Sequence, residues 1–526
     1  MSALAGTGAL VRLALRRDRV RLPVWVIAVV GLLMSSVVSV TSLYGSTAER
    51  EAYAGAVGDN PVAVMMGGPG AGLPSLGGIV VFEVAIVGYV AVGLMSLLLV
   101  VRHTRAEEEA GRTELLRAAV VGRWAGPGAA LVVAGAANAG IGLGVGAGLV
   151  ATGLPAAGSA ALAASFVVFG LVMATVGLVA AQLTEHSRGA SGIAAAALAV
   201  FFVLRAAGDI GGGTLSWTSP MGWALAVRPF AGARWAVLLL PLAAAAVLTA
   251  AALALLDRRD VGAGLVAARP GRATASGGLA GPLGLAWRQH RAALLGWGIG
   301  MFLLGAAYGS VGESVEELVS QNDALAEFVA GSGTDLVDTF FAVATSMTAL
   351  VVTGFALQVA VRMRGEETAG RLEPLLGTAV SRGRWLAVHL LVAVAGSTVL
   401  LALGGLGTGL LHATLTADPG QVGRLTVAAL VWAPAAWALT GVAAALFGLL
   451  PRAVGAVWAL LAAAAFLLLL GRTVQLPDWA VGLSPFEHVP QLPSEAVSAP
   501  PLLALTAVAL ALAGAGLLGF RRRDIG

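Results

Sequence analysis

Long apolar runs recur along this chain, and they constrain its fold more than any other feature. Each run is close to the ~20 residues that a helix needs to cross a bilayer. They lie at 22–43, 78–101, 125–152, 159–183, 189–207 and 235–256, and again at 292–309, 339–361, 386–411, 425–449, 453–470 and 500–519. With 58% hydrophobic and 11% charged residues, the chain has too little polar surface for a soluble exterior. The pattern predicts an all-α polytopic membrane protein with twelve transmembrane helices.

Short polar motifs show that the two sets of six runs are an internal duplication. Four motifs of the first set recur in the second at offsets of 261 to 265 residues. They are Tyr44-Gly45-Ser46 with Tyr308-Gly309-Ser310, Gly122-Arg123-Trp124 with Gly383-Arg384-Trp385, Ser219-Pro220 with Ser484-Pro485, and Arg258-Arg259-Asp260-Val261-Gly262 with Arg522-Arg523-Asp524-Ile525-Gly526. Because six spans is an even number, both copies enter the membrane in the same direction and form parallel repeats. We expect halves at 1–262 and 282–526, joined by a cytoplasmic linker at 263–281.

The densest charge occurs in a fifth duplicated stretch, R-x-E-E-x-A-G-R-x-E-x-L, at 105–116 and 364–375. We call this stretch the motif. One interpretation is a short solvated helix between spans two and three, on which Glu108 and Arg112 form an i,i+4 ion pair. Glu107, Gly111 and Glu114 would then share one face, and Glu367 and Arg371 would repeat the pair.

The other interpretation of the motif is a docking surface for a partner. It is favoured by the repetition in both halves, which includes a glycine that helices disfavour (Gly111 and Gly370). A small residue between charges lets a partner backbone approach.

The basic residues predict the orientation and exclude one activity. All 32 are Arg; 26 fall on the side of the motifs and six on the other, so both termini and both motifs are expected in the cytoplasm. Residues 1–21 read as a basic amphipathic helix on the membrane surface. Since a Walker A loop requires Lys, this chain contains no P-loop ATPase site.

Polar residues inside the spans indicate where a substrate could pass. Candidates for such a path are Glu83, Asn138, Ser35 and Gln358. Glu83 could bind a cation or a proton, or be solvated at the interface. We expect Asn138, Gln182, Gln358 and the Ser35-Ser36 pair to form hydrogen bonds between helices, and Arg205 and Arg472 to extend to the outer surface.

These motifs resemble the ABC-2 type permeases, specifically the actinobacterial ones with two fused six-span halves that export polyketide antibiotics or other drugs. The resemblance rests on the basic segment 1–21, both motifs, the Ser-Pro outer segments and the R-R-D-[VI]-G end of each half. It implies a type V exporter-like fold, coupling loops at 102–123 and 362–385, and re-entrant outer segments at 208–234 and 471–499. Residues expected to face an ATPase are Arg105, Glu107, Glu108, Gly111, Arg112 and Glu114, with Arg364, Glu366, Glu367, Gly370, Arg371 and Glu373. The implied outer gate comprises Ser219, Pro220, Ser484 and Pro485.

The function that the resemblance implies is a membrane-spanning exporter subunit in a bacterial plasma membrane. It would move hydrophobic or amphipathic small molecules outward, using ATP hydrolysed by two copies of a separate ABC ATP-binding subunit. The chain itself would need no cofactor, since the partner binds ATP and Mg, and it would have no catalytic or metal residues and bind no nucleic acid.

One alternative is an ion-coupled secondary drug transporter of the major facilitator type, which also has six plus six parallel spans. That class has a short G-x-x-x-D-R-x-G-R-R loop after span two, and here the loop is longer and acidic. A lipid-processing membrane enzyme would need clustered Asp, His or Glu near one interface, and the sequence has no such cluster.

Overall fold

The predicted fold class is confirmed by the computed structural model. It describes residues 2–58, 61–117, 120–260, 262–266, 274, 277–279, 281–320, 335–470 and 476–524. Within these ranges there is no strand, and twelve helices are long and apolar enough to cross a membrane. The chain divides into two compact units, Met1–Gly271 and Arg272–Gly526. That division falls inside the expected linker, several residues of which lie outside the described ranges.

The first unit contains a short amphipathic helix followed by its six spans. Its helices are α1 (Thr7–Arg17), α2 (Arg21–Leu43), α3 (Thr47–Gly58), α4 (Pro61–Gly67), α5 (Leu76–His103), α6 (Arg105–Glu109), α7 (Arg112–Arg117), α8 (Ala125–Ala151), α9 (Ala156–Leu183), α10 (Ser187–Ile210), α11 (Pro220–Ala226) and α12 (Leu239–Leu256). Helices α2, α5, α8, α9, α10 and α12 are spans one to six. The end of the unit that carries the motif is called the motif end below.

The second unit also contains six spans, of which the first three are longer helices than their counterparts in the first unit. The helices of the second unit are α13 (Pro282–Ser320), α14 (Leu336–Thr368), α15 (Leu372–Leu376), α16 (Arg382–Thr416), α17 (Gly420–Leu430), α18 (Ala433–Leu449), α19 (Val457–Leu470), α20 (Asp478–Val481) and α21 (Ala499–Arg522). Span one is α13, span two α14 and span three α16; α17 and α18 form span four, α19 span five and α21 span six. The basic stretch Trp287–Arg291 lies within α13 and is continuous with span one.

Span two lies at the centre of each unit together with span four. Two-thirds or more of their apolar windows is buried, 67% for both in the first unit and 78% and 72% in the second, whereas spans one, five and six bury at most 28%. Each span two starts at a side-chain cap, because Ser75 Oγ accepts a hydrogen bond from Gly78 N (3.0 Å) and Asp335 Oδ1 accepts one from Val337 N (2.9 Å). The start of this helix is therefore encoded locally in both units.

Glycines allow spans one and three of the second unit to pack closely. A Cβ on Gly305 would lie 1.9 Å from the carbonyl oxygen of Gly404, and one on Gly309 would lie 2.3 Å from that of Thr408. Such distances are shorter than any van der Waals contact, so these backbones touch only because the side chains are missing. Close packing of small residues is a main source of helix association in lipid.

We predict that Gly305→Ala lowers the melting temperature of the purified protein in detergent. The added methyl forces α13 and α16 apart, and overpacking of this kind costs about 1–3 kcal/mol. The matched control is Gly300→Ala on the same helix, where a Cβ meets no atom within 4 Å. If the two variants melt together, the close approach of α13 and α16 does not contribute to stability.

Candidate functional site

The motif straddles the end of span two and is not a single helix. In both copies the helix stops at the motif glycine, which has a positive φ: 70° at Gly111 and 67° at Gly370. Glycine adopts this left-handed conformation without steric cost and commonly ends helices. The short helices α7 and α15 then start in a new direction. The expected common face of Glu107, Gly111 and Glu114 is therefore wrong.

The first glutamate of each motif pairs across this turn. Arg112 Nε donates to Glu107 Oε2 at 2.6 Å, and Arg371 Nε donates to Glu366 Oε2 at 2.7 Å. The predicted i,i+4 pairs with Glu108 and Glu367 are wrong, because the chain reverses at the glycine and brings the arginine back to the residue five positions earlier. Hydrogen bonding to these carboxylates raises the pKa of both Arg112 and Arg371, so both stay charged.

The second glutamate of each motif binds the closing R-R-D stretch of the same unit. Arg259 Nη2 lies 2.8 Å from Glu108 Oε1, and Arg523 contacts both oxygens of Glu367 at 2.5 and 2.8 Å. Sequence reasoning missed this pair. A usable signal was present, because the glutamates of the motif and the basic R-R-D stretch are duplicated together in both halves. The ion pair fastens the end of span two to the residues that follow span six.

The first arginine of each motif also faces its own unit. Arg105 is buried, and its Nε and Nη2 donate to the carbonyl oxygen of Ala181 on α9 at 2.8 and 2.6 Å. It also lies 2.8 Å from Glu108, as Arg364 lies 3.0 Å from Glu367. Arg105 thus connects the motif to span four.

The two copies of the closing arginine have different neighbours. Arg259 Nε donates to Gln182 Oε1 at 2.9 Å, so Gln182 bonds to the segment that follows span six and not, as expected, to another helix. The Arg523 guanidinium instead lies over the rings of Phe447 (5.0 Å) and Phe520 (5.2 Å). The same ion pair is held by an amide in one unit and by aromatic faces in the other.

The third acidic position of the motif differs between the units. Glu109 Oε2 accepts hydrogen bonds from the backbone N (2.9 Å) and Oγ (2.5 Å) of Ser187, at the first turn of α10. A carboxylate is favourable there because the helix N-terminus carries partial positive charge. Its counterpart Thr368 bonds back to the carbonyl of Arg364 on its own helix. Only the first motif is thus linked to span five among the described contacts.

The amphipathic helix α1 is docked on the motif end of the first unit. Arg17 forms an ion pair with Glu107. Asp18, which is 1% exposed, lies 2.8 Å from Arg102 Nη2 and 2.7 Å from His103 Nε2 on span two. The expected surface helix is therefore tied to span two through its charged residues.

Burial separates the twelve predicted partner-facing residues into two groups. Those that hold the unit together are buried or half-buried: Arg105, Glu107, Glu108, Arg364, Glu366 and Glu367. Those at the turn and just after it are exposed: Gly111, Arg112, Glu114, Gly370, Arg371 and Glu373. We call the exposed group the turn surface, since only its members are freely open to a second molecule.

At the other end of each unit, the duplicated Ser-Pro step fastens the outer segment to span five. Ser219 Oγ donates to the carbonyl oxygen of Phe201 at 2.6 Å, and Ser484 Oγ donates to that of Ala464 at 3.5 Å. Both serines are buried. Pro220 and Pro485 each start the short helix that follows, where a missing N–H costs nothing.

The expected extension of Arg205 to the outer surface is wrong. Arg205 is fully buried; its Nη2 donates to the carbonyl oxygen of Met65 at 2.7 Å and its Nη1 to Asp209 Oδ2 at 3.2 Å. Ser216 Oγ donates to the other Asp209 oxygen at 2.6 Å. Hydropathy does not reveal that α4 ends beside this arginine and offers carbonyls to it. Arg472, predicted to behave similarly, lies outside the described residues.

Three of the candidate substrate-path residues form a side-chain hydrogen bond within their own unit. Glu83 is exposed and accepts a hydrogen bond from Tyr53. Asn138 and Gln358 bond between helices as predicted, to Ser96 (3.0 Å) and Trp297 (3.2 Å).

The serine pair behaves differently from the other path candidates. Ser35 and Ser36 bond only to the Leu32 carbonyl of their own helix, so the expected interhelical bond is wrong there. Across the part of the chain that the structure describes, no group of three His, Cys, Asp or Glu side chains could hold a metal ion.

In the described residues, twelve apolar helices with charged turns at one end of each six-span unit define a multi-pass membrane protein. A family model described as "Multidrug efflux system permease Rv1217c, C-terminal domain" matches residues 279–521. The multidrug efflux system permease protein Rv1217c of Mycobacterium tuberculosis is 41% identical over 529 residues, covering 100% of this chain and 96% of the relative. The chain belongs to the family of that permease.

We predict that Glu108→Gln and Arg259→Gln each lower the melting temperature strongly. Removing one partner of a buried pair costs about 3–5 kcal/mol because the other charge is left uncompensated. The double variant should lose less than the sum, with a coupling energy of about 0.5–3 kcal/mol. Thermal unfolding of the four proteins measures this cycle. Glu114→Gln, on the exposed turn surface, is the control, and strictly additive losses would contradict a direct pair.

Proposed function

We propose that this chain is the membrane-spanning subunit of an ATP-driven exporter. Two copies of a separate ABC ATP-binding subunit dock on it, one on the turn surface of each motif. The partner binds and hydrolyses ATP with Mg, and the chain moves a hydrophobic or amphipathic small molecule out of the cell. Both termini lie in the cytoplasm, on the arginine-rich side that holds both motifs.

The observation that carries this proposal is the construction of the turn surface. Its exposed residues follow span two, and the residues directly before them are joined by hydrogen bonds and ion pairs to span four and to the residues that follow span six. In the first unit Arg105 reaches Ala181 and Glu108 reaches Arg259. A push on the exposed turn therefore displaces several spans together and is not absorbed by a loose loop. Such a joint is what a coupling element between an ATPase and a transport path requires.

A separate ATPase is needed because the chain has no Lys with which to build a Walker A loop. Two docking positions follow from the two motifs. The nature of the cargo is supported by the relative in Mycobacterium tuberculosis, whose name describes a multidrug efflux system permease. The spans offer an apolar environment with few charges, which suits lipophilic compounds of the antibiotic, polyketide or drug type.

The two docking positions are not equivalent in this proposal. The first motif reaches span five through Glu109 and α1 through Arg17, and the second has Thr368 in place of that glutamate. Pro374 also replaces Leu115 just beyond the turn. An ATPase stroke on the first turn surface thus acts on more elements than the same stroke on the second.

We predict that the double reversal Glu114→Arg with Glu373→Arg weakens retention of the ATP-binding subunit at least about tenfold, or about 1.4 kcal/mol. Both side chains are exposed on the turn surface, so the melting temperature of the permease should not change. Co-purification from membranes measures the retention. Glu51→Arg, an exposed position on α3, is the matched charge reversal and should retain the partner fully. Full retention by the double variant would refute docking on the turn surface.

We predict that export continues in the presence of a protonophore while ATP is maintained, and stops when the partner's Walker A Lys is replaced. Transport into inverted membrane vesicles separates the two energy sources. The opposite pattern would identify an ion-coupled secondary transporter of the major facilitator type.

A further inference from the structure

A lateral groove lies at the motif end of the first unit, between the start of span one and the end of span two. Its volume is about 450 Å³. The apolar wall consists of Val20, Leu22, Val24, Trp25, Met95, Leu98 and Leu99. The polar rim consists of Asp18, Arg21 and Arg102. The groove therefore combines a long apolar surface with charges at one end, as an amphiphile does.

The rim carries net positive charge. Asp18 is already engaged by Arg102 and His103 and is 1% exposed, so it presents almost no negative surface to the groove. Arg102 keeps 27% of its side chain exposed, and Arg21 is exposed. Within the described ranges no carboxylate lies at ion-pair distance from Arg21. Arg21 and Arg102 thus place two cationic side chains on the lining of the same groove.

Trp25 shows at what depth the groove lies. It follows Arg21 by one helical turn and is 42% exposed, on the face of span one that lines the groove. Trp prefers the boundary between headgroups and acyl chains. Arginine directly above a boundary tryptophan places its guanidinium at the level of lipid phosphates, to which it binds through paired N–H donors.

We propose that this groove is a binding site for one anionic glycerophospholipid. Its phosphate is held between Arg21 and Arg102, and its acyl chains lie along Trp25, Met95, Leu98 and Leu99. The site is independent of the proposed transport function. Because Arg102 also holds Asp18, the bound lipid stabilises the attachment of α1 to span two.

The second unit supplies a natural comparison. A groove of about 720 Å³ on its span one is lined by Trp287 and Arg291 and otherwise by apolar residues. It has a tryptophan and an arginine one turn apart, but in the reverse order to Arg21 and Trp25, and its lining includes no second cation. Without a guanidinium pair to enclose a phosphate, it lacks the selectivity for an anionic headgroup that the first groove offers.

The test compares retention of phosphatidylglycerol and phosphatidylcholine with identical acyl chains by the full chain, measured by native mass spectrometry after detergent exchange. We expect wild type to retain one phosphatidylglycerol that phosphatidylcholine does not displace. Arg21→Gln should reduce that retention at least about tenfold and abolish the rise in melting temperature that phosphatidylglycerol gives. Arg21→Lys, which keeps the charge but loses the paired N–H donors, should retain more phosphatidylglycerol than Arg21→Gln and less than wild type.

Arg19→Gln is the matched control, because Arg19 is exposed on the same basic stretch but does not line the groove. Equal retention of the two lipids by wild type would overturn the proposal. So would unchanged retention in Arg21→Gln, or an equal loss in Arg19→Gln, which would indicate general attraction to a basic surface. Melting temperatures without added lipid should be equal for all variants, since the proteins differ only at exposed arginines.

Discussion

The structure depends on one ion pair that is built twice, Glu108 with Arg259 and Glu367 with Arg523. In a membrane the hydrophobic effect does not hold helices together, so polar contacts at their ends and close packing decide how spans are arranged. This pair joins the last turn of the central span to the residues following the last span of each unit. The pair thus links the end of span two to the end of span six in each unit. The neighbouring turn stays exposed, and the residues directly before it are fixed by this pair.

Hydropathy and duplication sufficed to predict the twelve spans, because bilayer thickness alone sets the length of an apolar helix. The pairing inside the motif could not be predicted in the same way. The i,i+4 rule holds only while a helix continues, and Gly111 and Gly370 end the helix within the motif. Arg259 and Arg205 bind partners more than a hundred residues away in sequence, which no local period encodes. The exposed turn surface could be located only after those long-range pairs were known.

Duplication has preserved the ion pair and allowed its surroundings to change. Gln182 supports the closing arginine in the first unit, and Phe447 and Phe520 do so in the second. Glu109 accepts a hydrogen bond from Ser187 at the start of span five, whereas Thr368 bonds back to its own helix. Both halves of this chain thus keep the ion pair that closes the unit, while the contacts between that pair and its neighbours differ between the halves.

The helix α13 has a mechanical consequence of its own. Its 39 residues form one uninterrupted helix, which at 1.5 Å per residue measures about 58 Å. A bilayer with its headgroups is about 40–45 Å thick, so even a perpendicular α13 extends roughly 13 Å or more beyond it. In the first unit the same path is broken between Arg17 and Arg21 and ends at Leu43. Among the described residues, span one is therefore a stiff rod in the second unit alone, and a rotation applied on one side of the membrane can reach the water on the other side through it without passing a hinge.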